Sequence, residues 1–483
     1  MVALLVAVLF LPGMTLQAPA QGTSPNVQLT GWFTVIWGDG MPGSGEAPLA
    51  VYLLTSEDGQ TYRLELDEAL LEDAGGVLAL NRQRLSVEAS PAPLSPDPGL
   101  PTVLRVISLT PPSYPLNAAS PVVSTAVSGS QPWVSILCKF SDIPDEPKSL
   151  TYFQDMYRSA YPGLDHYWRE VSYNTISLSG STARGWYTLP QPRASYFLQN
   201  GSLNLSLAAS DCTAAADADV YYPDYQGINL MFNDILDDWA WGGAQCIPLD
   251  GVFRCWRMTW EPPWGYSNIT TIAHEMGHGY RLPHSSGAYG KVYDNVWDVM
   301  SAAWSYCSRS NHPTYGCLGQ HTISYHKDIL GWIPAGKKYT VSYASGVLEQ
   351  AVLPAGQSFL MVQIPISGSS TYFYTVEVRN QSGYDVKLPG QAVIIHQVDT
   401  TRYRPAYVVD IDNNGNTGDA GAMWTVGETF EDATNQISVT VLAASGNSYQ
   451  VRINNGSQTT TLWLDPLAQI IDIYDIYLPL ILR

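Results

Sequence analysis

The residues most able to do chemistry are three histidines and a glutamate near the middle of the chain. His274, Glu275 and His278 form an HExxH motif, and His284 follows after a short break. Histidines at positions i and i+4 project from one face of a helix and can bind one ion. Catalytic zinc takes three protein ligands and keeps one position open for water. The spacing therefore predicts a Zn²⁺ site with Glu275 as the neighbouring general base.

The flanking residues indicate how a helix would hold this motif. Apolar residues at helical spacing predict a stripe that faces the core, on the side opposite the histidines: Ile269, Ile272, Ala273 and Met276. Gly279 and Pro283 interrupt the helix and let His284 return to the same ion.

The segment from Ser267 to Trp332 resembles secreted zinc metallopeptidases of the metzincin type, in particular the immune inhibitor A and gametolysin-like families. Besides the histidines, Asp298-Val299-Met300-Ser301 is similar to the methionine turn of that clan. The resemblance implies an endopeptidase that hydrolyses peptide bonds with a metal-activated water. It also implies that Met300 supports the metal site from below without being a ligand.

Two residues depart from the metzincin pattern. The pattern has glycine seven residues after the first histidine, where this chain has Arg281. A non-glycine residue at positive φ costs about 1 kcal/mol, so either Arg281 adopts that conformation or the turn moves to Gly279. Immune inhibitor A-like enzymes often use aspartate as the third ligand, whereas this chain has His284. The resemblance therefore does not assign the chain to one subfamily.

Composition and cysteines favour an exported protein. Of 483 residues only 14% are charged, and the net charge of −19 argues against nucleic acid as a partner. Residues 1–20 read as a signal peptide. All six cysteines are at or after position 138, and their spacing favours three disulfides, Cys138–Cys212, Cys246–Cys255 and Cys307–Cys317.

The pattern along the chain predicts an α+β protein. A metzincin-like catalytic domain, with a twisted sheet and the zinc helix, is flanked by an N-terminal β domain and a C-terminal β-sandwich. The expected boundaries are a β domain at 21–110 (propeptide or accessory module), a linker at 111–132, the catalytic domain at 133–335, the sandwich at 336–455 and a tail at 456–483. The tail is a candidate sorting signal that would associate the protein with a cell surface.

A second cation site is a further candidate. The run from Asp410 to Gly415 resembles the start of a calcium loop, with Asp410, Asp412 and Asn414 as oxygen ligands. Position twelve would be Gly421, so Asp419 is the substitute for the missing closing carboxylate. A polar turn without Ca²⁺ is the alternative.

The leading hypothesis is thus a secreted, monomeric zinc endopeptidase that acts on protein or glycoprotein substrates, without an integral membrane segment. One alternative is a catalytically weak or inactive relative that binds surfaces through its β domains. Another is a metallopeptidase directed at glycoproteins or cell walls. No residue is assigned to stabilise the oxyanion, since Ala302 stands where some metzincins have tyrosine, and Tyr306 is the nearest substitute.

Overall fold

The computed structural model describes residues 26–45, 47–91, 102–111, 126–289, 291–351 and 357–466. The expected signal peptide, most of the expected linker and the last part of the expected tail lie outside these ranges. Within them, no helix combines the length and apolar character needed to cross a membrane.

The N-terminal region forms a closed five-stranded barrel. Its elements are β1 (Val27–Gly40), β2 (Leu49–Ser56), β3 (Thr61–Glu65), α1 (Glu68–Asp73), α2 (Val77–Leu80), β4 (Arg84–Pro91) and β5 (Thr102–Thr110). The strand order is β2-β3-β5-β4-β1, and β1 pairs back onto β2, which leaves the barrel without a free edge. Gly59 has a φ of 84° in the β2–β3 turn, a conformation that glycine adopts without a Cβ clash. Inward apolar side chains such as Phe33, Leu54 and Val87 fill the interior.

Strand β1 pairs with β4 only as far as Trp32; its second half keeps β2 on one side and takes a strand of a central sheet on the other. The strands that follow are β6 (Gly129–Ser130), β7 (Trp133–Lys139), β8 (Ile176–Ser177), β9 (Thr182–Thr188), β10 (Gly227–Phe232), β11 (Trp239–Leu249) and β12 (Val252–Glu261). From β1 the order continues as β11-β12-β10-β7-β9, which makes one ten-stranded sheet with the barrel. Strand β1 runs antiparallel to β11, with Ile36 opposite Gly243 and Gly40 opposite Trp239. The barrel is therefore hydrogen-bonded directly to the central sheet.

Six short helices accompany the later strands: α3 (Leu150–Met156), α4 (Leu164–Val171), α5 (Leu205–Ala216), α6 (Pro263–Tyr266), α7 (Ile269–Gly279) and α8 (Ser324–Ile329). Helix α7, which carries the HExxH motif, packs on β11 and β12. All of its residues are buried, so its histidine face is covered as completely as its apolar stripe.

Two further sheets make up the C-terminal part. Their strands, with a small β14–β15 ribbon, are β13 (Ser286–Gly287), β14 (Asn311–His312), β15 (Gly316–Cys317), β16 (Lys338–Thr340), β17 (Ala344–Ala351), β18 (Ser358–Phe359), β19 (Met361–Pro365), β20 (Tyr372–Arg379), β21 (Ala392–Asp399), β22 (Ala406–Val408), β23 (Thr429–Asp432), β24 (Ile437–Ser445) and β25 (Ser448–Leu464). One sheet has the order β13-β22-β21-β20-β19-β16, and the other has β17-β25-β24-β23 with β18 also on β25. The two sheets share one apolar core. Strand β25 runs through 456–464, which the sequence assigned to the tail.

The predicted fold class, α+β with a metzincin-like twisted sheet and zinc helix, is wrong. The structure is mostly β, with 39% strand and 20% helix, and includes the closed five-stranded barrel. The prediction failed because long strands were overlooked. Strand β11 is buried on both faces over its first eight residues, so it lacks the polar–apolar alternation by which half-buried strands are recognised.

Three disulfides brace the central region. Cys138 of β7 is bonded to Cys212 of α5, Cys246 to Cys255 across the β11–β12 hairpin, and Cys307 to Cys317 beside the β14–β15 ribbon. These are the pairs that the spacing favoured. Disulfides persist in oxidising surroundings, which agrees with an extracellular setting.

Candidate metal centre

The three motif histidines converge on one point. His274 and His278 lie on α7, and His284 approaches from the segment after the helix. The Nε2 atoms lie 3.1 Å apart for His274 and His278, 3.2 Å for His278 and His284, and 3.3 Å for His274 and His284. All three rings are buried.

These separations fit a tetrahedral ion. With metal–nitrogen distances of about 2.0–2.1 Å, tetrahedral geometry separates two ligand atoms by about 3.3–3.4 Å. The Nδ1 atoms of His274 and His278 lie 2.6 Å and 2.8 Å from the carbonyl oxygens of Val299 and Leu282, to which they donate. Because these nitrogens hold the ring protons, the Nε2 lone pairs point inward without protons. Such a cluster could hold a cation at its centre.

The fourth corner of the tetrahedron is filled by Asp39, at the end of β1. Its Oδ1 lies 2.8 Å from Nε2 of His284, and its Oδ2 lies 3.2 Å and 3.3 Å from Nε2 of His274 and His278. A buried group of one aspartate and three histidines can therefore hold a metal ion. No sequence pattern distinguishes Asp39, whose only local signal is the pair of glycines that flank it.

Electrostatics hold Asp39 in its ionised form. Burial by itself raises the pKa of this carboxyl, but the imidazoles of His274 and His284 outweigh it and lower the pKa well below its ordinary value. Burial lowers the pKa of His278 to about 3 and also lowers that of His284. At His274 the attraction of Asp39 outweighs burial and raises the pKa.

Tyr293 is a second residue that sequence reasoning missed. Its hydroxyl donates to Oδ1 of Asp39 at 2.6 Å, and its ring meets the His284 ring edge-on. The hydroxyl is therefore directed at the fourth ligand position. Tyr306, the substitute considered from the sequence, lies elsewhere, with its hydroxyl against Gly418.

Glu275 is fully buried beside the ligands. Neither of its carboxylate oxygens has a hydrogen-bond partner among the described residues. Burial raises its pKa well above 4.5, and the charges of Asp39 and Glu261 raise it further. Gly242 of β11 makes room for it, because a Cβ at that position would lie 2.7 Å from Oε2 of Glu275. The unsatisfied carboxylate is suited to receive a proton.

Glu261, at the end of β12, is a third buried carboxyl close to this centre. Burial raises its pKa to about 8, and Asp39 also contributes to the increase. The sequence offered no pattern to distinguish it from an ordinary strand residue.

The segment 298–301, which the sequence analysis compared with a methionine turn, packs against α7. Met300 is buried against Gly277, where any side chain would collide with its sulfur. Asp298 accepts hydrogen bonds from the Met300 backbone at 3.0 Å and from Ser285 at 2.7 Å. The turn thus links the helix to the segment that carries His284, while the role of Met300 as a support beneath the metal stays a prediction.

Arginines join the centre to the barrel. Arg281 has a φ of 77°, so it adopts the strained turn itself and the turn does not move to Gly279. Its guanidinium donates to the carbonyl oxygens of Leu78 and Asn81 in the barrel. In return, Arg82 of the barrel donates to the carbonyl of Gly279 at 2.6 Å. These bonds fix the end of α7 to the N-terminal region.

The metal centre opens into a cleft of about 750 Å³. One wall holds His274, Glu275 and Tyr293, and the other is the loop from Gly40 to Gly45 that follows Asp39. The N-terminal region therefore covers part of the cleft as well as the fourth ligand position.

The candidate calcium residues lie outside this cleft. Asp410, Asp412 and Asp419 offer carboxylate oxygens within 4.8 Å of one another. Asn414 donates through its amide to Asp412 at 3.0 Å and to Asp419 at 2.7 Å. The four residues named from the sequence are thus brought together in one loop.

No protein-family profile matches this chain, and no curated protein sequence is significantly similar to it.

Proposed function

We propose that the protein is a secreted zinc endopeptidase that is held in a latent state by its own N-terminal region. The observation that carries the proposal is the tetrahedron formed by three histidine Nε2 atoms and the Asp39 carboxylate. Three imidazoles with one exchangeable position are the ligand set of catalytic zinc sites. The similarity of the HExxH segment to metzincin-type peptidases supports the same activity.

His274, His278 and His284 would hold the ion. Zinc held there would supply Lewis-acid chemistry, which lowers the pKa of a ligand water and polarises a carbonyl. Glu275 takes the proton of the attacking water and later delivers it to the leaving amine. Its burial and lack of partners support this role, since a raised carboxyl pKa lies closer to the working pH of a general base.

Tyr293 is our candidate for stabilising the oxyanion. Its hydroxyl donates to Asp39 in the latent state, at the position where substrate oxygen would arrive. After Asp39 departs, the same hydroxyl can donate to the negative charge that develops on the tetrahedral intermediate.

Latency follows from the position of β1. Asp39 takes the ligand position that a reactive water requires, and residues 36–40 pair with β11, the strand on which α7 packs. The barrel is connected covalently to the rest of the chain only through the segment after Thr110. A cut between Pro111 and Ala126 would therefore free the barrel to dissociate and would expose the metal.

Metal analysis and proteolysis of a casein-type substrate test the activity. A site-specific protease sequence inserted between Pro111 and Ala126 allows the chain to be cut on demand. We expect about one zinc per chain and activity that appears after cutting and disappears with a zinc chelator. Glu275→Gln should retain zinc and lower the rate by about 10²–10⁴-fold. Glu431→Gln, an exposed residue on β23, is the matched control.

Zinc binding without proteolysis after the barrel has been removed would reject the enzymatic proposal. Full activity of Glu275→Gln would reject the role of the glutamate alone.

A further inference from the structure

We infer that the loop from Asp410 to Gly421 is a calcium site that fixes the C-terminal sheets to the segment carrying the third histidine ligand. This inference concerns a second metal and is independent of whether the protein is a peptidase. It rests on one buried carboxylate oxygen without a partner, on two further carboxylates beside it, and on the contacts that the loop makes.

The first observation is a buried oxygen without a partner. Asp410 is only 8% exposed, and its Oδ1 has no hydrogen-bond partner among the described residues. Leaving a carboxylate oxygen buried and unsatisfied is costly unless a cation or a proton compensates it. A cation is the simpler compensation here, because two more carboxylates lie beside it.

The second observation is that the oxygens point at the same space. A Cβ built on Gly421 would lie 2.5 Å from Oδ1 of Asp410 and 2.7 Å from Oδ1 of Asp412. The backbone closes the loop there, since the amide of Ile411 donates to the carbonyl of Gly421 at 3.0 Å. A side chain at position 421 would fill the space toward which both oxygens are directed.

The ligand chemistry favours calcium. Asp410, Asp412 and Asp419 supply hard oxygen ligands, all within 4.8 Å of one another. Calcium–oxygen distances of about 2.3–2.6 Å place ligands on opposite sides of the ion about 4.6–5.2 Å apart. Magnesium requires a near-ideal octahedron with oxygens at about 2.0–2.1 Å and keeps several of its waters, whereas calcium accepts the irregular arrangement of carboxylates that a loop offers.

The loop also contacts the segment that follows His284. Tyr289 donates its hydroxyl to Oδ2 of Asp410, and Thr417 donates to the carbonyl of Asp294. The indole nitrogen of Trp297 donates to the carbonyl of Thr417 at 2.8 Å. Strand β13, directly after His284, pairs with β22, directly before the loop. An ordered loop therefore restrains the residues before and after Tyr293 in the chain.

Calcium titration of the zinc-loaded full chain tests the inference, with isothermal titration calorimetry and thermal melting as readouts. We expect one saturable calcium site with a dissociation constant of roughly 10⁻⁴–10⁻³ M, the range of extracellular modules, and a melting temperature that rises with calcium. Magnesium should bind more weakly.

Two variants locate the site. Asp412→Asn removes the charge of an exposed ligand and should weaken calcium binding by on the order of tenfold. Asp410→Asn removes the charge of the buried ligand and should weaken calcium binding by a similar factor. Asp58→Asn, an exposed aspartate in the β2–β3 turn, is the matched control and should bind calcium as the unaltered chain does. Absence of saturable calcium binding to the unaltered chain would overturn the inference. Unchanged calcium affinity in Asp412→Asn would also overturn it, provided that the far-ultraviolet circular dichroism spectrum shows the variant to be folded like the unaltered chain.

Discussion

Replacing Asp39 by asparagine separates the charge of the fourth ligand from its shape. Asparagine keeps the size of the side chain and an acceptor for the Tyr293 hydroxyl, but it loses the negative charge that strengthens this hydrogen bond and that would attract an ion held by the histidines. A hydrogen bond to a charged group contributes about 1.5–3 kcal/mol, and every 1.4 kcal/mol corresponds to about a tenfold change in an equilibrium. We therefore expect the uncovered state of the metal to become about 10–100-fold more populated.

The assay should use two substrates of different size. The pairing of residues 36–40 with β11 is made by the backbone, so we expect it to persist in Asp39→Asn and the loop from Gly40 to Gly45 to keep covering the cleft. A short fluorogenic peptide should be cleaved about 10–100-fold faster by uncut Asp39→Asn than by the uncut unaltered chain. A folded protein substrate should still require removal of the barrel. Cobalt substitution provides a second readout, because loss of a carboxylate ligand changes the visible absorption of the ion.

Asp58→Asn is the control, since it makes the same chemical change on the same barrel far from the histidines. After the barrel has been cut away and removed, Asp39→Asn and the unaltered chain should have equal activity. If uncut Asp39→Asn cleaves the peptide no faster than the unaltered chain, and its cobalt spectrum is also unchanged, Asp39 is not the group that restrains the metal.

Two more predictions concern tyrosine and lysine side chains. In the cut enzyme, Tyr293→Phe should lower kcat by about 10²–10³-fold with little change in KM, because it removes a donor used in the transition state; an unchanged kcat in steady-state kinetics would contradict this. Burial lowers the pKa of Lys387 from 10.5 to about 7 in the folded chain, so unfolding takes up a proton between these pH values and stability should rise with pH across that interval. Melting curves of Lys387→Met should lack this rise, and an equal slope in both proteins would contradict the assignment.

The three histidines of the candidate metal centre could be named from the sequence because the constraint on them is local. His274 and His278 are separated by one helical turn, and His284 follows a break that glycine and proline mark. The structure brings these three together with Nε2 separations of 3.1–3.3 Å. The positive φ of Arg281 was one of two alternatives that the sequence left open.

Asp39 and Tyr293 could not be found in this way. Asp39 reaches the centre through strand pairing between β1 and β11, which are about 200 positions apart, and no local pattern encodes such a pairing.

The fold class was wrong for a related reason. Strands buried on both faces, such as β11, show no alternation of polar and apolar residues. The helical periodicity around the motif is therefore the stronger signal in the sequence, and it favours a fold with more helix than the structure has.

The position of β1, between the barrel strands and the central strands of one sheet, also implies an order of assembly. The barrel closes through contacts within about 85 residues of chain, whereas β11 must reach β1 across a much longer loop, and short loops close at a lower entropic cost. We expect the barrel to form early and to present the edge of β1 that β4 leaves unpaired, beyond Trp32, for pairing with β11. Proteolytic removal would then be a one-way maturation step, because the processed protein, once unfolded, has lost the scaffold on which its own sheet was built.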